Sequence, residues 1–175
     1  MTEKILDVAR LEKEVKRYCD LMQELHKANV SENKDFQRKY NGYYKMQRRS
    51  ADFYRCYYEY LDRQKNNVGL TYEEVLRYIY EQTGRVEASF TSKLLASVNP
   101  NMPIIDSRVF EFLGFRLPYY YEKNRIEKII SLYEKLVYWY QSEDSNRFLD
   151  KFNEILPNAE ISDTKKIDFI LWLSR

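Results

Sequence analysis

The chain predicts an all-α fold, a compact domain of about eight or nine helices, on three observations. Apolar side chains recur at three- and four-residue steps through one segment after another, which is the period of a buried helix face. No segment sustains the alternation of a half-buried strand. Only four glycines and four prolines occur among 175 residues, 32% of them charged, which argues against linkers, low-complexity tracts and disorder. A chain of this size buries most of its apolar surface without disulfides or metals, so a single all-helical domain over residues 1–175 is the expected organisation. No repeat of fixed length is evident.

Each element has a local reason. Thr2 to Asn29 reads as one amphipathic helix, with Ile5, Val8, Leu11 (or Leu6), Val15, Tyr18, Cys19, Met22 and Leu25 on one side and charge opposite. Ser31 to Asn33 breaks it, and a second helix runs from about Lys34 to Arg49 across Gly42. Ser50 to Gln64 follows, its buried stripe Phe53, Tyr54, Tyr57, Tyr58 and Leu61. Asn66-Asn67-Val68-Gly69 is a turn; Thr71 with Glu74 is a capping box that opens a helix from Tyr72 to about Gln82. Gly84 can close that helix in a left-handed conformation, and the next runs from about Val86 to Val98 with Ser89, Ser92 and Ala96 along a close-packing side. Asn99 to Pro103 forces an extended loop, after which Asp106 caps a helix from Ser107 to Leu113 that Gly114 ends. Beyond the Tyr119-Tyr120-Tyr121 run come helices at about Arg125 to Gln141, Asn146 to Leu156 and Asp163 to Ser174, the last expected to dock on the core.

Composition limits the function classes. Cys19 and Cys56 have no CxxC or histidine-rich company, and His26 is the single histidine, so a Cys/His zinc site cannot be assembled and no metal is expected. Two free thiols suit a reducing compartment. With no signal peptide and no apolar run of membrane-spanning length, the expected location is the cytoplasm, away from any membrane. Seventeen tyrosines are unusual for a domain this small. They supply half-polar layers between helices, or a surface on which bases stack. The net charge of +2 demands no anionic partner, yet Lys34, Arg38, Lys39, Lys45, Arg48, Arg49 and Arg55 face only Asp35 and Asp52 in an aromatic-rich stretch. Either a solvated helix face or phosphate contact explains it, with Lys39, Lys45, Arg48 and Arg49 as the candidate grip.

Residues 72–114 run helix, glycine turn, helix, proline loop and aspartate-capped helix. With Gly84-Arg85-Val86-Glu87-Ala88 and Pro103-Ile104-Ile105-Asp106-Ser107-Arg108-Val109, this segment resembles the catalytic core of the helix-hairpin-helix DNA glycosylases, such as endonuclease III and the adenine glycosylases. The resemblance implies a phosphate-binding hairpin at Gly84, Arg85 and Val86, with Lys93 and Arg108 nearby on the nucleic-acid side. It also implies a catalytic carboxylate at Asp106, which would stabilise a cationic sugar or position water, and a flipped base held among aromatics.

The departures from the family pattern narrow the activity. Val86 stands where the hairpin's second glycine would be, and Ala88 stands where bifunctional members carry a nucleophilic lysine. Lys93 projects about 140° away from Ala88 at roughly 100° per residue, so it is no simple replacement and lyase chemistry is not expected. The absence of a four-cysteine cluster excludes an iron–sulfur module, and no cofactor is implied. The resulting expectation is monofunctional base excision or nucleic-acid binding, with DNA as the partner. The alternative is a catalytically inactive helical module that binds a protein partner or a second copy of itself. Three of these residues also fit purely structural roles: Asp106 as a plain N-cap, Gly84 as a plain C-cap, Lys93 as a solvent-reaching cation.

Overall fold

A computed structural model describes residues 7–173. The expected helix start at Thr2, with Ile5, and the expected end at Ser174 lie outside the described residues. Among the described residues there are nine helices and no strand: α1 Val8–Lys27, α2 Lys34–Tyr43, α3 Ala51–Gln64, α4 Tyr72–Thr83, α5 Ala88–Val98, α6 Ser107–Leu113, α7 Arg125–Tyr140, α8 Glu143–Ile155 and α9 Asp163–Leu173. The all-α expectation therefore holds. No helix among the described residues is long and apolar enough to cross a membrane.

Internal contacts divide the chain into two units, one of residues 17–99 and the other of residues up to 16 together with 100–175. The 17–99 unit is built on tyrosine. Tyr40, Tyr57 and Tyr58 are buried with Phe36, and each buried hydroxyl is satisfied: Tyr57 donates to the Phe90 carbonyl at 3.1 Å and Tyr58 donates to Asn41 Oδ1 at 2.8 Å. Tyr72 donates to the Ala88 carbonyl at 3.0 Å and so ties the start of α4 to the start of α5. The boundary-layer reading of these tyrosines is correct here, because their rings fill the core while their hydroxyls find polar acceptors on neighbouring helices.

Caps fix the element ends. Asn33 accepts the Phe36 N–H at 3.0 Å, Ser50 accepts the Phe53 N–H at 3.2 Å, and the Thr71/Glu74 capping box is fully formed. The helix expected to reach Arg49 stops at Tyr43 instead. Lys45 turns left-handed (φ 52°) and the Met46 N–H reaches back to the Asn41 carbonyl at 2.9 Å, a closure usually built on glycine. Its compensation is the burial of Tyr44 and Met46 just past the helix. On α1 the buried positions are Leu11, Glu14, Tyr18, Leu21 and Leu25, whereas Cys19, expected on the apolar side, is exposed. α5 starts at Ala88 rather than Val86 and α8 at Glu143 rather than Asn146.

In the other unit α9 is buried nearly all round, with Ile167, Phe169, Ile170 and Leu171 at 8% exposure or less. Phe169 stacks on the fully buried Phe152 of α8 at 6.4 Å. Tyr133 of α7 donates to the Pro103 carbonyl at 2.8 Å, and Ile104 and Ile105 are buried, which anchors the proline loop that leads into α6.

Candidate functional site

Asp106 sits at the end of that anchored loop. Its backbone is extended (φ −119°, ψ 145°), and its carboxylate Oδ1 accepts the Arg108 N–H at 2.8 Å, so it is the N-cap of α6. The side chain is half-buried. At the far end of α6, Gly114 is left-handed (φ +68°) and the Phe115 N–H reaches the Phe110 carbonyl at 2.8 Å, with the two rings in edge contact. Arg108, expected on the nucleic-acid side, donates to the Trp172 carbonyl and lies 5.9 Å over the Trp172 ring. Its guanidinium thus ties α6 to α9.

The negative charge of Asp106 acts on three buried groups from α7 and α9: Lys165, Asp168 and Tyr140. Tyr140 donates its hydroxyl to the Asp168 carboxylate, and Lys165 Nζ lies 3.8 Å from the other Asp168 oxygen and 5.2 Å over the Phe169 ring. Burial pushes the Asp168 carboxyl up to about 6 and the Lys165 ammonium below its ordinary value. Tyr140 is held well above the ordinary phenol range, first by burial and then by the Asp168 charge. Both members of the ion pair are displaced toward neutrality, so desolvation outweighs their mutual attraction. A buried carboxyl raised in this way can hold or release a proton, and the charge of Asp106 bears on the same cluster.

Sequence reasoning did not find Lys165, Asp168 or Tyr140. A signal existed. Asp168 is a lone carboxylate between Ile167 and Phe169 in an otherwise apolar run, and Lys165 lies one helical turn before it. Charges in a helix that is apolar all round must be paired indoors.

The hairpin belongs to the other unit. Gly84 is left-handed (φ +67°) and its N–H caps α4 on the Tyr80 carbonyl at 2.7 Å. Val86, half-buried, is outside the left-handed region, so the turn closes on one glycine where the resembled family uses two. A Cβ at Gly84 would meet nothing within 4 Å. Gly84→Ala is therefore expected to cost only the backbone penalty, about 1–2 kcal/mol, measurable as a lower urea midpoint with an unchanged slope.

Glu87, at the N-terminus of α5, gathers the hairpin's cations. Arg49 holds it bidentately, Nε to Oε1 at 2.7 Å and Nη2 to Oε2 at 2.8 Å, while Arg85 Nε reaches Oε1 at 2.8 Å. These guanidinium groups keep the Glu87 carboxyl below its ordinary range in spite of burial. Arg49 and Lys93 both lie over the Phe90 ring, at 4.9 Å and 5.3 Å. Lys39 pairs with Asp35 at 2.7 Å and Glu24 at 3.0 Å. Lys45 and Arg48 are exposed in the loop after α2, both with left-handed backbone. The expected phosphate grip is thus split: Arg49, Arg85 and Lys39 already serve carboxylates of the protein, and Lys45 and Arg48 project on a loop rather than a helix.

A groove of about 520 Å³ on the outer side of α7 is lined by Phe115, Lys135, Tyr138, Trp139, Ser142 and Asp144 among others; Asp106 does not line it. Among the described residues no group of three His, Cys, Asp or Glu side chains is placed to hold a metal ion. Fold and site together define an all-helical protein, among the described residues, with a helix-capping aspartate whose charge bears on a buried lysine–aspartate–tyrosine cluster. Compared with protein-family models, curated proteins and solved structures, the chain finds no significant match.

Proposed function

We propose that the protein binds nucleic acid and hydrolyses an N-glycosidic bond, with Asp106 as the catalytic carboxylate. The observation that carries this reading is Asp106 itself: a half-buried carboxylate at a helix start, fixed through one oxygen and electrostatically coupled to a buried ammonium. As the bond from sugar to base breaks, its electron pair leaves with the base and positive charge develops on the sugar. A fixed carboxylate stabilises that charge, and water completes the product by adding at the same carbon and giving up a proton. Asp168, its carboxyl pushed up to about 6 by burial, is a group that can hold a proton and that feels the charge of this carboxylate. Nucleic-acid contact is assigned to the hairpin backbone at Gly84, Arg85 and Val86, the Arg85 guanidinium being engaged by Glu87, and to the exposed loop cations Lys45 and Arg48.

The test is to incubate the protein with duplex and single-stranded oligonucleotides that carry a broad panel of modified and mismatched bases, and to detect abasic product. Asp106→Asn keeps an oxygen for the Arg108 N–H, so it should remain folded and lose turnover. Asp106→Ala should lose both the turnover and the cap, the latter worth about 0.5–2 kcal/mol. Absence of abasic product with every substrate, or full turnover in Asp106→Asn, overturns the reading. Binding should also weaken steeply as salt rises, since each phosphate contact releases counterions.

A further inference from the structure

The loop between α6 and α7 exposes Tyr119, Tyr120 and Tyr121 at 85%, 74% and 93%. Three consecutive large rings in solvent are unusual, because each forgoes the burial that stabilises tyrosine elsewhere in this chain. The loop that carries them is tightly built. The Glu122 N–H reaches the Tyr119 carbonyl at 3.1 Å, which places Tyr120 and Tyr121 at the two central positions of a turn. The Glu122 carboxylate in return accepts the Tyr119 N–H at 3.1 Å and is held by Lys128. Arg125 Nε donates to the Pro118 carbonyl at 3.3 Å, which braces the loop from the other side, and its guanidinium lies 5.8 Å over the Tyr120 ring. The Tyr120 and Tyr121 rings stand at 89° to each other with centroids 4.9 Å apart, so their faces point in different directions.

Charge around the turn is positive. From Gly114 to Lys128 the cations are Arg116, Lys123, Arg125 and Lys128 and the acids Glu122 and Glu127, with Glu122 taken up by Lys128. Arg116 and Lys123 are exposed. A pinned turn that offers planar faces beside exposed cations matches the two parts of a single strand, stacked bases and phosphates. A membrane interface fits less well, since no Trp, Phe or Ile stands at the tip, and the binding elements of that kind are amphipathic helices with a large apolar face.

The geometry points to the Tyr119–Tyr121 turn as a stacking site for unpaired nucleobases, with Arg116 and Lys123 on the adjoining phosphates. This assignment rests on the nucleic-acid part of the function proposed above and is independent of the hydrolysis. The turn supplies pre-formed ring faces, so little ordering is needed on binding, and the site tolerates any base because every base has a π face.

The experiment measures anisotropy of a labelled oligothymidylate of about 12 nucleotides against the full-length protein, its Tyr120→Ala, Tyr121→Ala and double variants, and the matching Phe variants. An abasic strand of equal length and anionic phospholipid vesicles are parallel probes. Expected are a loss of roughly five- to a hundredfold in affinity per ring removed, near-complete retention in the Phe variants, and weak binding of the abasic strand. Circular dichroism should not change, as none of these side chains is buried. Equal affinity of the Ala variants for oligothymidylate, or equal affinity of the wild type for the abasic strand, overturns the assignment while leaving nucleic-acid binding in place. Vesicle binding or self-association that depends on the tyrosines, with no oligonucleotide binding, overturns it in favour of a lipid or protein surface. Tyrosine-dependent binding without abasic product on the lesion panel would sink the hydrolysis alone.

Discussion

Replacing Tyr40 by alanine is expected to lower the stability of the 17–99 unit by about 3–5 kcal/mol, the usual cost of deleting a fully buried aromatic ring. Tyr40 is 0% exposed and in ring contact with Phe36, Tyr44, Tyr57 and Tyr58 at centroid distances of 4.6–6.2 Å. Its hydroxyl meets Ser97 Oγ at 2.8 Å, and the Tyr57 hydroxyl and the Lys93 carbonyl at 3.2 Å each. Alanine removes the ring and these hydroxyl contacts together, while Ser97 keeps the Lys93 carbonyl and Tyr57 keeps the Phe90 carbonyl. Tyr40→Phe removes only the hydroxyl and should cost about 0.5–1.5 kcal/mol, so the pair of variants separates packing from hydrogen bonding. Urea unfolding followed by far-UV circular dichroism reads both, and an alanine variant as stable as the phenylalanine variant would refute the packing argument.

The same residue sets an alkaline limit. Burial raises the Tyr40 phenol from its ordinary 10.0 to about 12. A group whose folded value is raised contributes stability that is complete below its unfolded value and is lost as pH climbs through the folded one. Tyr44, Tyr57 and Tyr58 are displaced in the same direction by burial. Stability should therefore fall as pH rises above 10, with the buried phenols ionising on unfolding rather than one by one.

Lys165→Met is expected to be the other severe variant, costing about 3–5 kcal/mol at neutral pH because it leaves Asp168 buried without its counter-ion. Asp168 and Lys165 are each 8% exposed. The sign of the pH dependence follows from the raised Asp168 carboxyl. Its contribution is fully present below its ordinary 3.8 and is lost as pH rises through about 6. The cost of Lys165→Met should accordingly shrink as pH falls, and it should begin to do so above pH 6, because losing the Lys165 charge raises the Asp168 carboxyl further. Lys165, displaced downward, acts in the opposite sense at higher pH, where its contribution is lost as pH falls through its folded value. Combining Lys165→Met with Asp168→Asn removes both charges and keeps an acceptor for the Tyr140 hydroxyl, so it should recover most of the loss. A double variant no more stable than Lys165→Met would show that the pair is not what the single variant breaks.

Local chemistry was legible in the residues themselves. Thr71 with Glu74, Asp106 before Ser107, and the glycines at 84 and 114 each specify a helix end through contacts between residues only two to five apart, so no distant element is needed to read them. The three- and four-residue recurrence of apolar side chains placed the helices for the same reason. The end of α2 was illegible because a left-handed lysine at position 45 is stabilised by where Tyr44 and Met46 are buried, and burial is a property of the packed unit. The basic stretch likewise read as a phosphate grip in sequence, whereas Glu87 lies 38 residues from Arg49 and Glu24 lies 15 from Lys39, so their pairing emerges only on folding.

By itself, then, the sequence determined the all-helical architecture, most of its boundaries and the capping role of Asp106, since these depend on short-range hydrogen bonding and on the period of one helix face. The tertiary structure alone decided which charges are spent on one another, that Asp106 acts on a buried lysine and aspartate from α9, and that Tyr40 is core while Tyr119 to Tyr121 are solvent-facing. Desolvation and ion pairing depend on what surrounds a side chain in space, and identical tyrosines or lysines in the chain acquire different roles only when their neighbours are fixed.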